Sequence, residues 1–183
     1  MNRIKRTALF DIEAILSKIG VEEGQKVAEL GCGNFGFFVF PLAHLTGRYG
    51  KVYAVDILKS TLEEIGREAK KENLPQITPI WSNLEIFKAT KIETSSLDSA
   101  LLVNILHQSD KKIEILREAI RLLKRGGKLL IMEWKNSDLP FGPSKDRRVK
   151  LEALKTAIPK IGLSVLEEFE AGPYHYGLIL IKL

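Results

Sequence analysis

Cysteine is almost missing from this chain: of 183 residues only Cys32 carries a thiol. A lone cysteine forms no intramolecular disulfide and no multi-cysteine metal site, which excludes disulfide-stapled scaffolds and zinc ribbons and fits a reducing, cytoplasmic setting. No metal site is expected. Long apolar runs are also lacking, since no stretch approaches the ~18 consecutive apolar residues that span a bilayer. The basic start, Asn2-Arg3-Ile4-Lys5-Arg6, is not followed by a signal-peptide core with a small-residue cleavage site, so a soluble, unprocessed protein is expected. Nor is there a block of one charge sign. The 28 Lys and Arg are interleaved with 23 Asp and Glu, leaving +5, which attracts anions weakly at long range and forms no nucleic-acid stripe. Internal repeats, linkers and low-complexity segments are absent too.

What remains is an ordinary globular composition, 45% hydrophobic and 28% charged, at a length that suits one domain over residues 1–183. Leu9, Ile12, Ile15, Leu16 and Ile19 fall at helical spacing before Gly20, predicting an amphipathic helix within the first twenty residues. Short apolar strands are predicted at Val27–Leu30, Lys51–Val55, Ile77–Trp81, Leu97–Leu106 and Lys128–Trp134. Between them lie helices at Phe37–Thr46, Ser60–Asn73 and Asp110–Lys124, the last closed by Arg125-Gly126-Gly127 as a left-handed cap. A polar loop, Asn136–Ser144, precedes a helix near Asp146–Ile161 and two strands, Leu163–Phe169 and Tyr176–Lys182, joined by the turn Gly172-Pro173-Tyr174-His175. Alternating strands and helices with a terminal hairpin predict an α/β fold: a doubly wound, seven-stranded, mainly parallel sheet, helices on both faces, and a C-terminal antiparallel strand.

Ligands of such sheets bind beyond the carboxyl ends of the strands, where strand order reverses. The turn Gly31-Cys32-Gly33-Asn34-Phe35-Gly36 ends the first strand there, with glycines that permit a tight bend and let a ligand approach bare backbone. Asp56, at the tip of the second strand and about 20 residues beyond the glycines, is placed to accept hydrogen bonds from a ribose diol. Together they indicate an adenosine-containing ligand. Glu29, just before the turn, suits an ammonium group such as that of the methionine half of S-adenosylmethionine.

The segment Val27-Ala28-Glu29-Leu30-Gly31-Cys32-Gly33-Asn34-Phe35-Gly36 resembles motif I of the class I S-adenosylmethionine-dependent methyltransferases. Val52–Asp56 looks like that family's ribose-binding strand and Leu97–His107 like its fourth strand. Leu122-Leu123-Lys124-Arg125-Gly126-Gly127-Lys128-Leu129 resembles the turn into its fifth strand, common in the ubiquinone/menaquinone C-methyltransferase-like branch. These ordered matches run from Val27 to Trp134. The resemblance implies a Rossmann-like methyltransferase fold and S-adenosyl-L-methionine as cofactor, released as S-adenosyl-L-homocysteine. The cofactor would be held by Glu29, Gly31, Cys32, Gly33, Asn34, Gly36, Asp56, Ile57 and Asn104. Ser82, Asn83 and Leu84 would flank the adenine. Asn83 stands where the family often has Asp, but its carbonyl oxygen still accepts from an amine.

In-line methyl transfer asks mainly for positioning and water exclusion, and a base is needed only where the acceptor loses a proton. His107, just past the fourth strand, is the first candidate, with a helix cap or an exposed side chain as the plain structural alternative. Tyr174 and His175 are second candidates against a simple turn role. Glu133 and Trp134 end the fifth strand as pocket wall or packing, His44 reads as a packed or surface residue, and Cys32 as a small filler. The first helix, residues 1–20, and the 136–144 loop are the segments available as a lid, with Phe10, Leu139 and Phe141 shaping the acceptor space.

A small-molecule acceptor with a C-, O- or S-nucleophile is the leading reading. Methylation of RNA or protein is the first alternative. Asn104-Ile105-Leu106-His107 lacks the paired prolines of amino-methyltransferases, while Arg147, Arg148, Lys145 and Lys150 form either an anion patch or a solvated helix start. Arsenite methylation is disfavoured by the single cysteine. A subunit that binds the cofactor without transferring a methyl is the second alternative. The short loop after the fifth strand leaves either a small acceptor or a second copy, as a homodimer, to complete the pocket.

Overall fold

Seven apolar runs become strands: Lys26–Leu30 (β1), Lys51–Asp56 (β2), Ile77–Trp81 (β3), Leu97–Val103 (β4), Leu123–Trp134 (β5), Leu163–Glu170 (β6) and His175–Lys182 (β7). In the computed structural model, which describes residues 9–139 and 141–183, they form one sheet in the order β3-β2-β1-β4-β5-β7-β6. Neighbours from β3 through β5 are parallel, and β7 runs antiparallel to both β5 and β6. Strands β1 and β4 are nearly continuous in Val, Ala and Leu because both of their faces are covered.

The helices divide between the faces. Helices α1 (Ile12–Ile19), α2 (Val39–Thr46) and α3 (Lys59–Lys71) pack Ile12, Leu42 and Ile65 on Val27, Val52 and Leu101. Helices α4 (Lys112–Leu122) and α5 (Leu151–Ala157) pack Leu116, Ala119 and Leu154 on Ala28, Ala100 and Leu129. The α1 pattern behaves as the spacing predicts: Ile12, Ile15, Leu16 and Ile19 are buried, Asp11 accepts from the Ala14 N–H, and Gly20 ends the helix at φ 67°. Leu9 stays outside the helix, and the part of the expected first segment that falls on residues 1–8 lies outside the described residues.

Several expectations are corrected. Strand β4 ends at Val103 rather than Leu106, because Asn104 turns the chain at φ 56°. The Gly126-Gly127 pair does not cap α4. Residue Leu123 is already extended and pairs with Leu97, then Ser99 pairs with Lys128, so the glycines form a bulge inside β5 with Gly126 at φ 78°. The helix expected near Asp146–Ile161 shrinks to α5 followed by a 3₁₀ turn, Ile158–Ile161.

The crossover from β3 to β4, residues 82–96, contains no helix. A buried ion pair holds it instead. Glu118 of α4 accepts the Lys88 and Thr90 N–H groups at 2.8 and 3.0 Å. Arg121 binds both oxygens of Glu118 and donates to the carbonyls of Thr90 and Ile92 and the hydroxyl of Thr94. Burial opposes ionisation of Glu118, yet the Arg121 and amide hydrogen bonds together hold its carboxyl below the ordinary value. Removing one partner of a buried pair leaves the other uncompensated, so Glu118→Ala is expected to cost about 3 kcal/mol. For a chain of this size that lowers Tm by roughly 6–12 °C. A folded-state pKa below the unfolded one contributes stability that is present above the unfolded value, about 4.3, and is lost as pH falls through the folded value. Melting curves of wild type and Glu118→Gln should therefore differ at neutral pH and converge in acid.

Among the described residues no helix is long and apolar enough to cross a membrane.

Candidate active site

Five parallel strands bring their carboxyl ends to one rim, and antiparallel β7 adds its first residue there, since His175 pairs with Trp134. Strand order reverses between β1 and β4, and the chain leaves those strands toward opposite faces. Doubly wound sheets bind their ligands at that divergence.

The turn after β1 is anchored by main chain. The Gly31 and Cys32 N–H groups donate to the Val55 carbonyl at 2.8 and 3.0 Å. Asp56 accepts from Gly33 N–H with Oδ2 and from Leu58 N–H with Oδ1, both at 2.9 Å, so one nearly buried carboxylate fixes the glycine turn and the entry to α3 together. Gly31 sits at φ 82°, and a Cβ there would lie 2.2 Å from Ile105 Cδ1. Gly33, at φ 62°, has open space where a Cβ would be and presents bare backbone. Asn34 Oδ1 accepts from the Thr61 hydroxyl at 2.8 Å, and Gly36 closes against Val39, Phe40 and Ile65.

Beneath the turn, Glu29 is 3% exposed and its Oε2 has no hydrogen-bond partner among the described residues. Burial pushes its carboxyl well above the ordinary range; the Val39 and Phe38 amides pull it back, and the charge of Asp56 raises it further. A cation at this position would relieve that penalty. Cys32 is buried, and burial together with Glu29 and Asp56 pushes its thiol up, which suits a filler rather than a nucleophile. Ile57 is half exposed beside Asp56, and Trp81 donates its indole N–H to the Ile57 carbonyl at 2.8 Å. Nothing in the composition singles out Trp81; its place at the tip of β3 is the available signal.

The next three residues after β3 are less available than expected. The Ser82 hydroxyl pairs with that of Thr90 at 2.9 Å, and Leu84 is buried in the core. Asn83 Oδ1 already accepts from the Glu85 N–H at 2.9 Å, leaving one lone pair for a ligand.

Across the divergence, a 3₁₀ turn, Leu106–Gln108, carries His107. Its Nδ1 lies 2.9 Å from Glu133 Oε2, while Glu133 Oε1 accepts the Leu106 and His107 N–H groups at 2.7 and 3.3 Å. Glu133 is completely buried; the His107 side chain is 13% exposed. The sequence named both residues but not their pairing. His175 belongs to β7 rather than to the turn and is wholly buried, with Nε2 3.2 Å from Asn104 Nδ2 and the Trp134 ring 4.2 Å away. Burial, with the charges of His107 and Lys135, lowers its pKa to about 4, so it is neutral at physiological pH. Asn104 Oδ1 and His175 Nδ1 have no hydrogen-bond partner among the described residues.

Aromatic rings cluster around His175. Phe10 bridges Phe38 at 5.9 Å and His175 at 5.5 Å, and Phe141 packs edge-on against Trp134 and Tyr174 at 6.0 and 4.6 Å. Leu139 is half buried in the same loop. His44 lies in the last turn of α2 beside Glu72, away from these rings. Of the two readings of the basic residues, the helix start fits better than an anion patch: Arg148 is buried against the carbonyls of Pro143, Lys135 and Ser137, Arg147 pairs with Asp110, Lys145 with Asp138, and Lys150 is exposed at the start of α5. Among the described residues no cluster of His, Cys, Asp and Glu could hold a metal ion.

A sheet of this order with an antiparallel last strand, a glycine turn tied to an acidic residue on the second strand and a buried acid beneath it is the Rossmann-like methyltransferase arrangement. Comparison with solved structures agrees: a SAM dependent methyltransferase from Aquifex aeolicus superposes with a TM-score of 0.86 at 23% identity, covering 96% of this chain and 91% of its own. The cyclase SpnF shares the fold at a TM-score of 0.78 and 13% identity over 93% of this chain and 79% of its own, so the fold by itself does not name the reaction. The model of the methyltransferase domain family matches residues 21–170, and the chain belongs to that family. Its cofactor is S-adenosylmethionine. The ubiquinone/menaquinone biosynthesis C-methyltransferase UbiE of Rhizobium etli is 29% identical over 156 residues, 85% of this chain. The chain spans 57% of the length of that relative.

Proposed function

We propose that this protein, acting as a single domain in the cytoplasm, transfers a methyl group from S-adenosylmethionine to a small, flat, apolar acceptor that gives up a proton, with a quinol-type ring as the leading candidate. The observation that carries the acceptor class is the cluster of Phe10, Trp134, Phe141 and Tyr174 around uncharged His175, beside the His107–Glu133 pair at the same rim of the sheet. Such a cluster favours a neutral ring over a cationic amine or a nucleic-acid backbone. The names of the quinone-methylating relatives point the same way.

When bound, the cofactor supplies an electrophilic methyl on a positively charged sulfonium. Glu29 fits its ammonium group, because an unpartnered buried carboxylate oxygen gains most from a cation. Asp56 has lone pairs left for a ribose diol after holding Gly33 and Leu58, and the bare backbone of Gly33 permits close approach. Ile57 and Trp81 offer apolar surface for the adenine, with the remaining lone pair of Asn83 for its amine. On the acceptor side Asn104 and His175 orient polar atoms, and His107 takes the proton at Nε2. Phe10 and Phe141 act as lid residues from this chain itself, which favours a small acceptor over a pocket completed by a second copy.

Transfer of labelled methyl should be followed from S-adenosylmethionine to a naphthoquinol, a phenol, an amine, a thiol and bulk RNA. Ring methylation with equimolar S-adenosylhomocysteine is the expected result. Label appearing in RNA alone would establish the macromolecular reading, and tight cofactor binding with no transfer to any acceptor would establish a non-catalytic binder.

A further inference from the structure

The two oxygens of Glu133 do different things. Oε1 takes two consecutive main-chain N–H groups, those of Leu106 and His107, and so rivets the 3₁₀ turn to the end of β5. Oε2 meets the imidazole of the second of those residues at 2.9 Å. Ring and backbone of His107 are thus held by one completely buried carboxylate: swinging the ring away costs the Oε2 contact, while Oε1 keeps the turn in place. An ionised carboxylate only accepts hydrogen bonds, which makes Nδ1 the protonated nitrogen of a neutral His107. The other nitrogen, Nε2, has no hydrogen bond to any described residue, and the side chain keeps partial access to solvent.

Resting on the reading of His107 as the proton acceptor, we propose that Glu133 is a positioning residue. It selects the Nδ1–H tautomer, so that Nε2 carries the free lone pair toward the acceptor, and it balances the imidazolium that forms. For a quinol-type acceptor the hydroxyl proton binds Nε2, while Glu133 remains ionised and receives no proton. The electron pair left behind is delocalised onto the adjacent ring carbon, which would form the new bond to the methyl carbon as the sulfur–methyl bond breaks with its pair to sulfur, leaving S-adenosylhomocysteine. Loss of the ring C–H proton restores aromaticity. The surrounding groups are consistent with this assignment. His175 across the rim is neutral, Lys135 beyond β5 donates to the carbonyl of Gly172, and Asn104 faces His175 rather than His107. Among the described residues the carboxylate of Glu133 is the one anion in contact with the ring.

The test reads the tautomer directly, by long-range proton–nitrogen correlation of His107 in the wild-type protein without cofactor or acceptor. Protonation at Nδ1 is expected, and a wild-type His107 protonated at Nε2 when neutral overturns the proposal without any variant having to fold. In Glu133→Gln the amide oxygen can keep the main-chain bonds while its NH₂ donates to Nδ1, so the ring should switch to the Nε2–H form. Turnover of the naphthoquinol should then fall roughly 10²–10³-fold while the dissociation constant for S-adenosylmethionine moves less than about threefold. Reversed tautomer with unchanged turnover overturns the catalytic use of the pair. Failure of the underlying reading shows separately, as a His107→Ala protein that turns over at the wild-type rate.

Discussion

Asp56→Ala is expected to lose S-adenosylmethionine affinity by at least about 100-fold while remaining folded. The carboxylate is 8% exposed and each oxygen accepts a backbone N–H, one from the glycine turn and one from the start of α3. Hydrogen bonds to a charged group contribute about 1.5–3 kcal/mol each, so losing two amounts to roughly 3–6 kcal/mol, or about 10²–10⁴ in an equilibrium constant. Part of that loss falls on the order of the turn and part on the ribose contacts proposed for the same oxygens. Asp56→Asn separates the two. Its single carbonyl oxygen can retain one anchoring amide, whereas the NH₂ faces the other N–H as donor against donor, so affinity should fall between wild type and alanine. Calorimetric titration with S-adenosylmethionine, with circular dichroism to establish folding and NAD as a control ligand, measures this. An alanine variant that binds within threefold of wild type would remove Asp56 from the cofactor site.

The half of the site built on β1 and β2 was legible because its residues are close in sequence and their types are dictated by geometry. Gly31 and Gly33 must accept positive φ, and an acid at the tip of the following strand is where a parallel neighbour puts it. The half built on β4, β5 and β7 was legible only as separate candidates. His107 and Glu133 stand 26 residues apart, and His175 and Asn104 71 apart, so their meeting depends on sheet order and on the antiparallel turn of β7, which local pattern does not encode. The same reason hid Glu118. On a helix with apolar residues at Ile115, Leu116 and Ala119 a glutamate reads as solvent-facing, yet the irregular 82–96 segment needs a buried anchor for its unpaired amides, and Glu118 with Arg121 supplies it. Where the sequence overreached, as in treating Gly126-Gly127 as a helix cap, the glycine signal was real but served a strand bulge. A local pattern identifies positive φ, not the element that uses it.

His107→Ala should separate binding from chemistry. The cofactor contacts proposed for Glu29, Gly33 and Asp56 lie across the divergence from the 3₁₀ turn, so affinity for S-adenosylmethionine should stay within about threefold, and turnover should fall by roughly 10²–10⁴, the usual contribution of a positioned general base. The variant leaves Glu133 Oε2 buried without its ring partner, at a cost of about 1–3 kcal/mol in stability. That predicts a lower Tm but not an unfolded protein, because Oε1 keeps the Leu106 N–H and the amide at position 107. Added imidazole should restore part of the lost turnover by entering the space that the ring vacates. The size of the defect also reports on the acceptor. A thiolate, ionised before it binds, needs no base and would leave turnover almost unchanged, whereas a ring carbon or phenol that must shed its proton during transfer needs one fully. A His107→Ala protein that methylates the naphthoquinol as fast as wild type would therefore exclude the proton-transfer role of His107.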